Sequence, residues 1–307
     1  MMTKPNFDAL AVSGVRRLKN PKRFLWMLVL PALIVRALTM LYPLLVTFYY
    51  SFLDYRVTRQ IKVWGGFKNY VKFFQDPAVA STLGFTVKFT VFSMIFIIAL
   101  GIALGLLLNV KFRGKPFLRS IALIPWAMPT IVIGIAMKWG FNDTYGFVND
   151  LISRVTGAPF AFSWLSNGFG AQFAVILVDV WKNVPFFAIM VLAGLQNIPD
   201  ELYEAAHVDG AGQWRRFINI TLPGLGRTLG TMGLFFTLWR ITSFDLVYAM
   251  TSGGPGSLTS LISYKLMLES VKTLNYGYAS SIAVILFLVM IVITMLSKGV
   301  GKWLSKE

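Results

Sequence analysis

The chain has 307 residues, is 56% hydrophobic and only 14% charged, carries a formal charge of +16, and has a mean hydropathy of +0.65. Soluble domains carry about 25% charged residues, so an ordinary soluble domain is excluded; the positive excess reads as the Lys and Arg that membrane proteins gather in cytoplasmic loops, not as a nucleic-acid surface. With no cysteine and one histidine, His207, the chain has no disulfide, no thiolate or all-histidine metal site and no thiol nucleophile.

A helix needs about 20 mostly apolar residues to cross a hydrocarbon core about 30 Å thick. Six segments meet that condition: 24–53, 83–110, 118–139, 171–195, 226–251 and 277–300. The first follows a basic segment, 1–23, containing Arg16, Arg17, Lys19, Lys22 and Arg23. It is too long for a signal-peptide core and no small-residue cleavage site follows it, so it is predicted to be a retained span. Pro31, Arg36 and Pro43 interrupt it and predict a kink or an interfacial piece. In the second, Gly101 and Gly105 form a GxxxG, which lets a neighbouring helix approach closely but is also common by chance. The loops 54–82, 140–170 and 252–276 are short and predict small helices at most. With the N-terminus inside, the inner segments hold 16 Lys and Arg and the outer loops 8. That bias predicts both termini, the tail 301–307 and the loop 196–225 in the cytoplasm.

Within that loop, Pro199 precedes a short helix with Asp200, Glu201 and Glu204 in its first turns, where the helix dipole favours negative charge. Gly210 suits its C-terminal cap. A second short helix is predicted from Gln213 to Ile220, with Trp214, Phe217 and Ile218 on one face and Pro223 ending it. Helices this short are marginal alone, so they must pack on something: the inner leaflet or a soluble partner. No G-x-x-x-x-G-K-S/T run is present, since Gly299-Val300-Gly301-Lys302-Trp303 lacks both the first Gly and the hydroxyl residue. Gly253-Gly254-Pro255-Gly256 reads as a turn, not a phosphate cradle.

The pattern Glu204-Ala205-Ala206, Asp209-Gly210-Ala211, Phe217, Ile220, Leu222 and Pro223 resembles the EAA loop of binding-protein-dependent ABC importer permeases. Gly66-Phe67-Lys68-Asn69-Tyr70, Phe112-Arg113-Gly114, Phe244-Asp245-Leu246-Val247-Tyr248 and Thr251-Ser252-Gly253-Gly254-Pro255 look like the carbohydrate-importer branch, in particular its first, maltose-type permease subunit. The likeness covers nearly the whole chain. It lacks the extra N-terminal spans and large extracytoplasmic insert of the maltose permease, and so is similar to the glycerol-phosphate, lactose and alginate types.

The resemblance implies an all-α, polytopic, six-span type I ABC importer permease in a bacterial inner membrane, with the permease domain at 24–300 and a cytoplasmic coupling helix. It implies that Glu204, Ala205, Ala206, Asp209, Gly210 and Ala211 dock on an ATPase. The expected partners are a second permease subunit, two ATP-binding cassette subunits that hold ATP and Mg, an extracytoplasmic solute-binding protein, a carbohydrate substrate and membrane lipid. No cofactor and no catalysis are expected on this chain.

Seven ionisable residues lie within the apolar segments away from their cytoplasmic ends: Arg36, Lys88, Lys138, Asp179, Lys182, Arg240 and Asp245. Each would cost about 2.5–3.5 kcal/mol facing lipid at mid-helix. Lys88 and Lys138 lie near span ends and can snorkel. Asp179, Lys182 and Arg240 fall near mid-membrane, with Asp179 and Lys182 on one helix face and Arg240 and Ser243 on another. They form either a structural ion pair or a substrate-contacting cluster. By the resemblance, sugar-contacting positions fall on Asp179, Lys182, Asn183, Phe186, Trp239 and Arg240. The matching positions of the maltose permease are uncharged, so two cations suggest an acidic, uronate-containing saccharide. An ion-coupled secondary transporter using Asp179 and Lys182 as a relay is an alternative. A membrane enzyme acting on lipid-linked sugar is a third, with Asp179 and Asp245 its only intramembrane carboxylates.

Overall fold

A computed structural model describes residues 21–110 and 113–304. Arg16, Arg17, Lys19, Phe112 and the end of the tail, 305–307, lie outside the described residues. The chain divides into two compact units, 1–49 and 50–307.

The first unit is helical: α1 (Pro21–Arg36), a wide π turn at Ala37–Leu41, and α2 (Tyr42–Ser51), which runs into the second unit. The proline ring of Pro43 would press on the Thr39 carbonyl in a regular helix and cannot donate to it. The π turn lies over that position, and the Tyr42 amide bonds back to Ala37. Val29–Ser51 is apolar enough to span.

The second unit opens with a β-hairpin, β1 (Leu53–Arg56) and β2 (Ile61–Trp64), antiparallel with Leu53 opposite Trp64. The hairpin corrects the all-α expectation in one loop; Gln60, at φ 54°, makes its turn. Then follow α3 (Lys68–Gln75), α4 (Pro77–Asn109), α5 (Lys115–Ala122), α6 (Ile124–Ala127), α7 (Thr130–Gly140) and α8 (Phe147–Thr156). After these come α9 (Gly168–Leu195), α10 (Asp200–Val208), α11 (Gln213–Arg216), α12 (Leu222–Thr242), α13 (Asp245–Met250), α14 (Ile262–Met267) and α15 (Tyr276–Leu304).

Three sequence expectations are corrected here. Segment 118–139 is not one straight helix: Lys115–Ala127 and Thr130–Gly140 meet at an 85° bend. Met128 precedes Pro129, and a residue before proline is pushed from helical to extended backbone; both residues are extended, with ψ 140° and 133°. Segment 226–251 is broken at Ser243-Phe244 into α12 and α13. Four glycines, Arg227 and Arg240 dilute the hydropathy of α12, so among the described residues four helices qualify as spans, or five counting the bent pair as one. Finally, Pro223 does not end the second loop helix. A π turn at Phe217–Thr221 absorbs the proline, and α11 runs on into α12.

Helix α9 is the central element, with two thirds of its most apolar window (67%) buried. It lies along α4, and the GxxxG marks the contact. A Cβ on Gly101 would sit 2.6 Å from Phe187 Cδ1; on Gly105 it would sit 2.8 Å from Val191 Cγ1 and 3.0 Å from the Ala188 carbonyl oxygen. Between helices in lipid no hydrophobic force is available, so this close van der Waals fit is what associates them.

Two apolar clusters flank this pair. One gathers Phe89, Val178 and Val247; the other gathers Met94, Val180, Phe187 and Phe236. Thr90, Ser93, Asp179, Lys182, Asn183 and Arg240 are buried where one cluster gives way to the next. A third cluster joins Phe73, Ile262, Tyr278 and Ile282.

Beside the third cluster Asp76 ties three helices together. Its carboxylate accepts from the Ala78 amide at 2.9 Å, capping α4, and from the Tyr278 hydroxyl of α15 at 3.2 Å. It also pairs with Lys265 of α14 at 2.9 Å. Burial alone would raise its pKa, but the hydrogen bonds and charge of Lys265, Ala78 and Tyr278 outweigh it and hold the carboxyl below its ordinary 3.8.

Candidate functional site

The helix break at Met128-Pro129 opens a cavity of about 220 Å³ against α9 and α12. Asp179, Lys182, Asn183, Trp239, Arg240 and Ser243, the predicted cluster, all line it. Phe186 is behind the wall, stacked on Trp126 with ring centroids 4.4 Å apart and 8° between planes. Trp126, Met128, Pro129 and Thr130 line the cavity too, and sequence reasoning missed them. Their signal was the pair Pro125 and Pro129, four residues apart inside an apolar run.

The charges are not equivalent. Arg240 Nε lies 2.7 Å from Asp179 Oδ2, and both side chains are almost fully buried. Asn183 Nδ2 donates to the Asp179 side-chain Oδ1 at 3.0 Å and to its backbone carbonyl at 2.7 Å. The Arg240 guanidinium also lies over the Phe236 ring, 5.3 Å from its centroid. Its Nη2 is buried without a hydrogen-bond partner among the described residues, so one polar edge of the cation is unmatched. Lys182 points elsewhere: Nζ donates to the carbonyls of Trp126 at 2.9 Å, Met128 at 2.8 Å and Pro125 at 3.5 Å. Taken formally, Asp179 and Arg240 cancel and the cluster keeps one positive charge. A cavity below the about 300–1,000 Å³ of drug-sized ligand sites has room for one small polar unit beside Trp126 and Trp239. Of the other predicted intramembrane cations, Lys88 and Lys138 are exposed on their helices. A larger groove of about 590 Å³, lined by Asp54, Arg56, Lys68, Lys72 and Asp76, shares no residue with this cavity.

The second predicted site is α10 and its cap. Ile198 is buried, and the Tyr203 hydroxyl lies 3.1 Å from Thr221 Oγ1, which fixes one face of α10 to the start of α12. Gly210 takes φ +73° and closes the helix, with the Ala211 amide bonding back to the Ala206 carbonyl at 2.8 Å. Glu204, Ala205, Asp209 and Gly210 are exposed, and Ala206 and Ala211 half-buried. Apolar side chains are exposed beside them, among them Leu202, Trp214 and Val208, which is 87% exposed. Two short polar helices that still present leucine, valine and tryptophan outward have a face left to cover.

Residues 97–306 match the family described as binding-protein-dependent transport system inner membrane component. The chain belongs to that family. This permease is 37% identical over 269 residues to the sulfoquinovosyl glycerol transport system permease protein SmoG of Agrobacterium fabrum, covering 87% of each chain. It is 34% identical over 278 residues to the trehalose/maltose transport system permease protein MalF of Thermococcus litoralis, covering 91% of this permease and 93% of that one. Among solved structures it superposes with TM-score 0.79 and 21% identity on a chain of a bacterial alginate ABC transporter, crystallised with an alginate pentasaccharide-bound periplasmic protein. The alignment covers 92% of this permease and 96% of that chain, which shows a shared fold. Membership decides against the ion-coupled and enzymatic readings, which give no reason for the pattern at 204–223.

Proposed function

We propose that this permease is the translocation subunit of an ATP-driven importer of a saccharide, with the cavity at the helix break as its substrate station. The observation that carries the reading is the cavity itself. It places a guanidinium, that of Arg240, and two tryptophans, Trp126 and Trp239, around one space in the middle of a family transport domain. Sugars need hydroxyl partners and an apolar wall, and the relatives named above carry sugar derivatives or disaccharides in their names. The bent α5–α7 segment counts as one crossing and α12 with α13 as another, which makes six. The lysine and arginine bias sets both termini and the 196–225 loop inside. Arg240, a guanidinium in the cavity lining, favours a saccharide with an acidic group, such as a uronate.

In this reading a second permease completes the pathway, and two ATPase subunits bind ATP and Mg. A solute-binding protein delivers the sugar outside. When the ATPases close, α10 moves with them. Its Gly210 cap, its Tyr203–Thr221 bond and the unbroken run of α11 into α12 make the linkage stiff. The test is ATPase stimulation of the assembled complex by its binding protein, loaded in turn with neutral and acidic saccharides. Stimulation and uptake by a saccharide support the reading; a complex silent to every sugar overturns it. Gly210→Glu is expected to keep ATP hydrolysis and lose uptake, while Gly212→Ala, where a Cβ meets open space, leaves both intact.

A further inference from the structure

We propose that Lys182 is a positioning residue: together with Phe186 it clamps Trp126, holding the third crossing bent at Met128-Pro129 so that this tryptophan walls the cavity. The proposal rests on the cavity being the substrate station, and gives Lys182 a role other than attracting charge.

The helix break leaves carbonyls without partners. In a continuous helix Pro125 O would accept from residue 129, but that residue is Pro129 and has no N–H. Trp126 O would accept from Thr130, but the extended backbone of Met128 and Pro129 carries Thr130 away. Met128 O belongs to the extended pair itself. An ammonium group has three donors, and Lys182 Nζ faces these three carbonyls, at 3.5, 2.9 and 2.8 Å. Lys182 is 8% exposed, so these carbonyls replace its water.

Phe186 is one helical turn along α9 and shares a face with Lys182. It stacks on the indole of the same Trp126 whose carbonyl Lys182 holds, at 4.4 Å. One face of α9 therefore grips both the backbone and the ring of one residue. The next face positions Asp179 and Asn183 toward Arg240. A lysine with its donors committed in this way offers none to a substrate, so its loss is felt equally by acidic and neutral sugars.

The chain has no cysteine, so paired labels can be placed without background. Ser120→Cys and Ile135→Cys are exposed positions on either side of the 85° bend. Spin-label distances between them are measured in the assembled complex. Lys182→Met is expected to broaden that distance and move it to longer values. In uptake it should raise KM for acidic and neutral saccharides by a similar factor, about tenfold, as for the loss of about 1.4 kcal/mol, with turnover retained. Trp126→Ala should do the same, and the double variant should be no worse than either single one. An unchanged distance, or a KM change confined to acidic sugars, overturns the proposal. Should Lys182→Met not assemble, Lys182→Gln, whose amide keeps two donors for three carbonyls, takes its place in the distance measurement. If no sugar is taken up by the unmodified complex, the transport reading has failed; the label distance still decides the clamp.

Discussion

Arg240 and Lys182 are both buried cations within a turn or two of Asp179 in space, yet their surroundings give them different work. Arg240 is held by a carboxylate, and removing one partner of such a pair strands the other at a cost of about 3–5 kcal/mol. Asp179→Leu is therefore expected to lower the unfolding temperature of the purified protein sharply. The double change Asp179→Leu with Arg240→Met should recover most of that stability, because two apolar side chains replace a buried pair, and should still abolish uptake. Recovery of uptake in the double variant would make the pair purely structural. At Asp76 the sign follows from a folded-state pKa held below the ordinary carboxyl value of 3.8. Its stabilisation is complete above the unfolded pKa and is lost as pH falls through the folded one. Thermal unfolding measured from neutral to acid should thus fall more steeply in the natural protein than in Asp76→Asn, which lacks the increment at every pH.

Among elements, the α4–α9 contact rests on absent side chains. Gly105 faces both Val191 and the Ala188 carbonyl, so a larger residue must push backbone as well as side chain. Overpacking of this kind costs about 1–3 kcal/mol or more. Gly105→Val is expected to reduce folded yield and unfolding temperature in detergent, whereas Gly84→Ala, where a Cβ meets nothing, should match the natural chain. The sequence offered the GxxxG but not its partner, because small-residue spacing names a face without naming what packs there. Prolines were legible in a similarly partial way. Pro31 and Pro43 promised a kink and Pro223 a helix end. The helices continue past Pro43 and Pro223, with π turns before both, since widening one turn clears the proline ring more cheaply than ending an apolar helix in lipid. Pro129, preceded by an extended Met128, does break its segment, and there Lys182 supplies the missing donors.

At the scale of the whole molecule, orientation is the quantity on which the proposed coupling depends, and it can be read with single cysteines. Thr58→Cys, exposed in the hairpin turn, should react with a membrane-impermeant maleimide from outside the cell. Val208→Cys, 87% exposed at the end of α10, should react only after the membrane is opened. The reverse pattern would invert the topology and remove the ATPase-docking role of the loop. Length, hydropathy and the 204–223 pattern are one-dimensional properties, so the sequence by itself determined that this is a multi-span membrane permease, and it grouped Asp179, Asn183, Arg240 and Ser243, which line one cavity. Which crossing is broken, which cation is paired and which is a clamp, and that Trp126 walls the cavity were decided only in the tertiary structure. Those outcomes depend on which carbonyls are left without donors and which side chains reach them, and residues 57 and 61 positions apart, Pro125 with Lys182 and Asp179 with Arg240, meet only once the helices have packed.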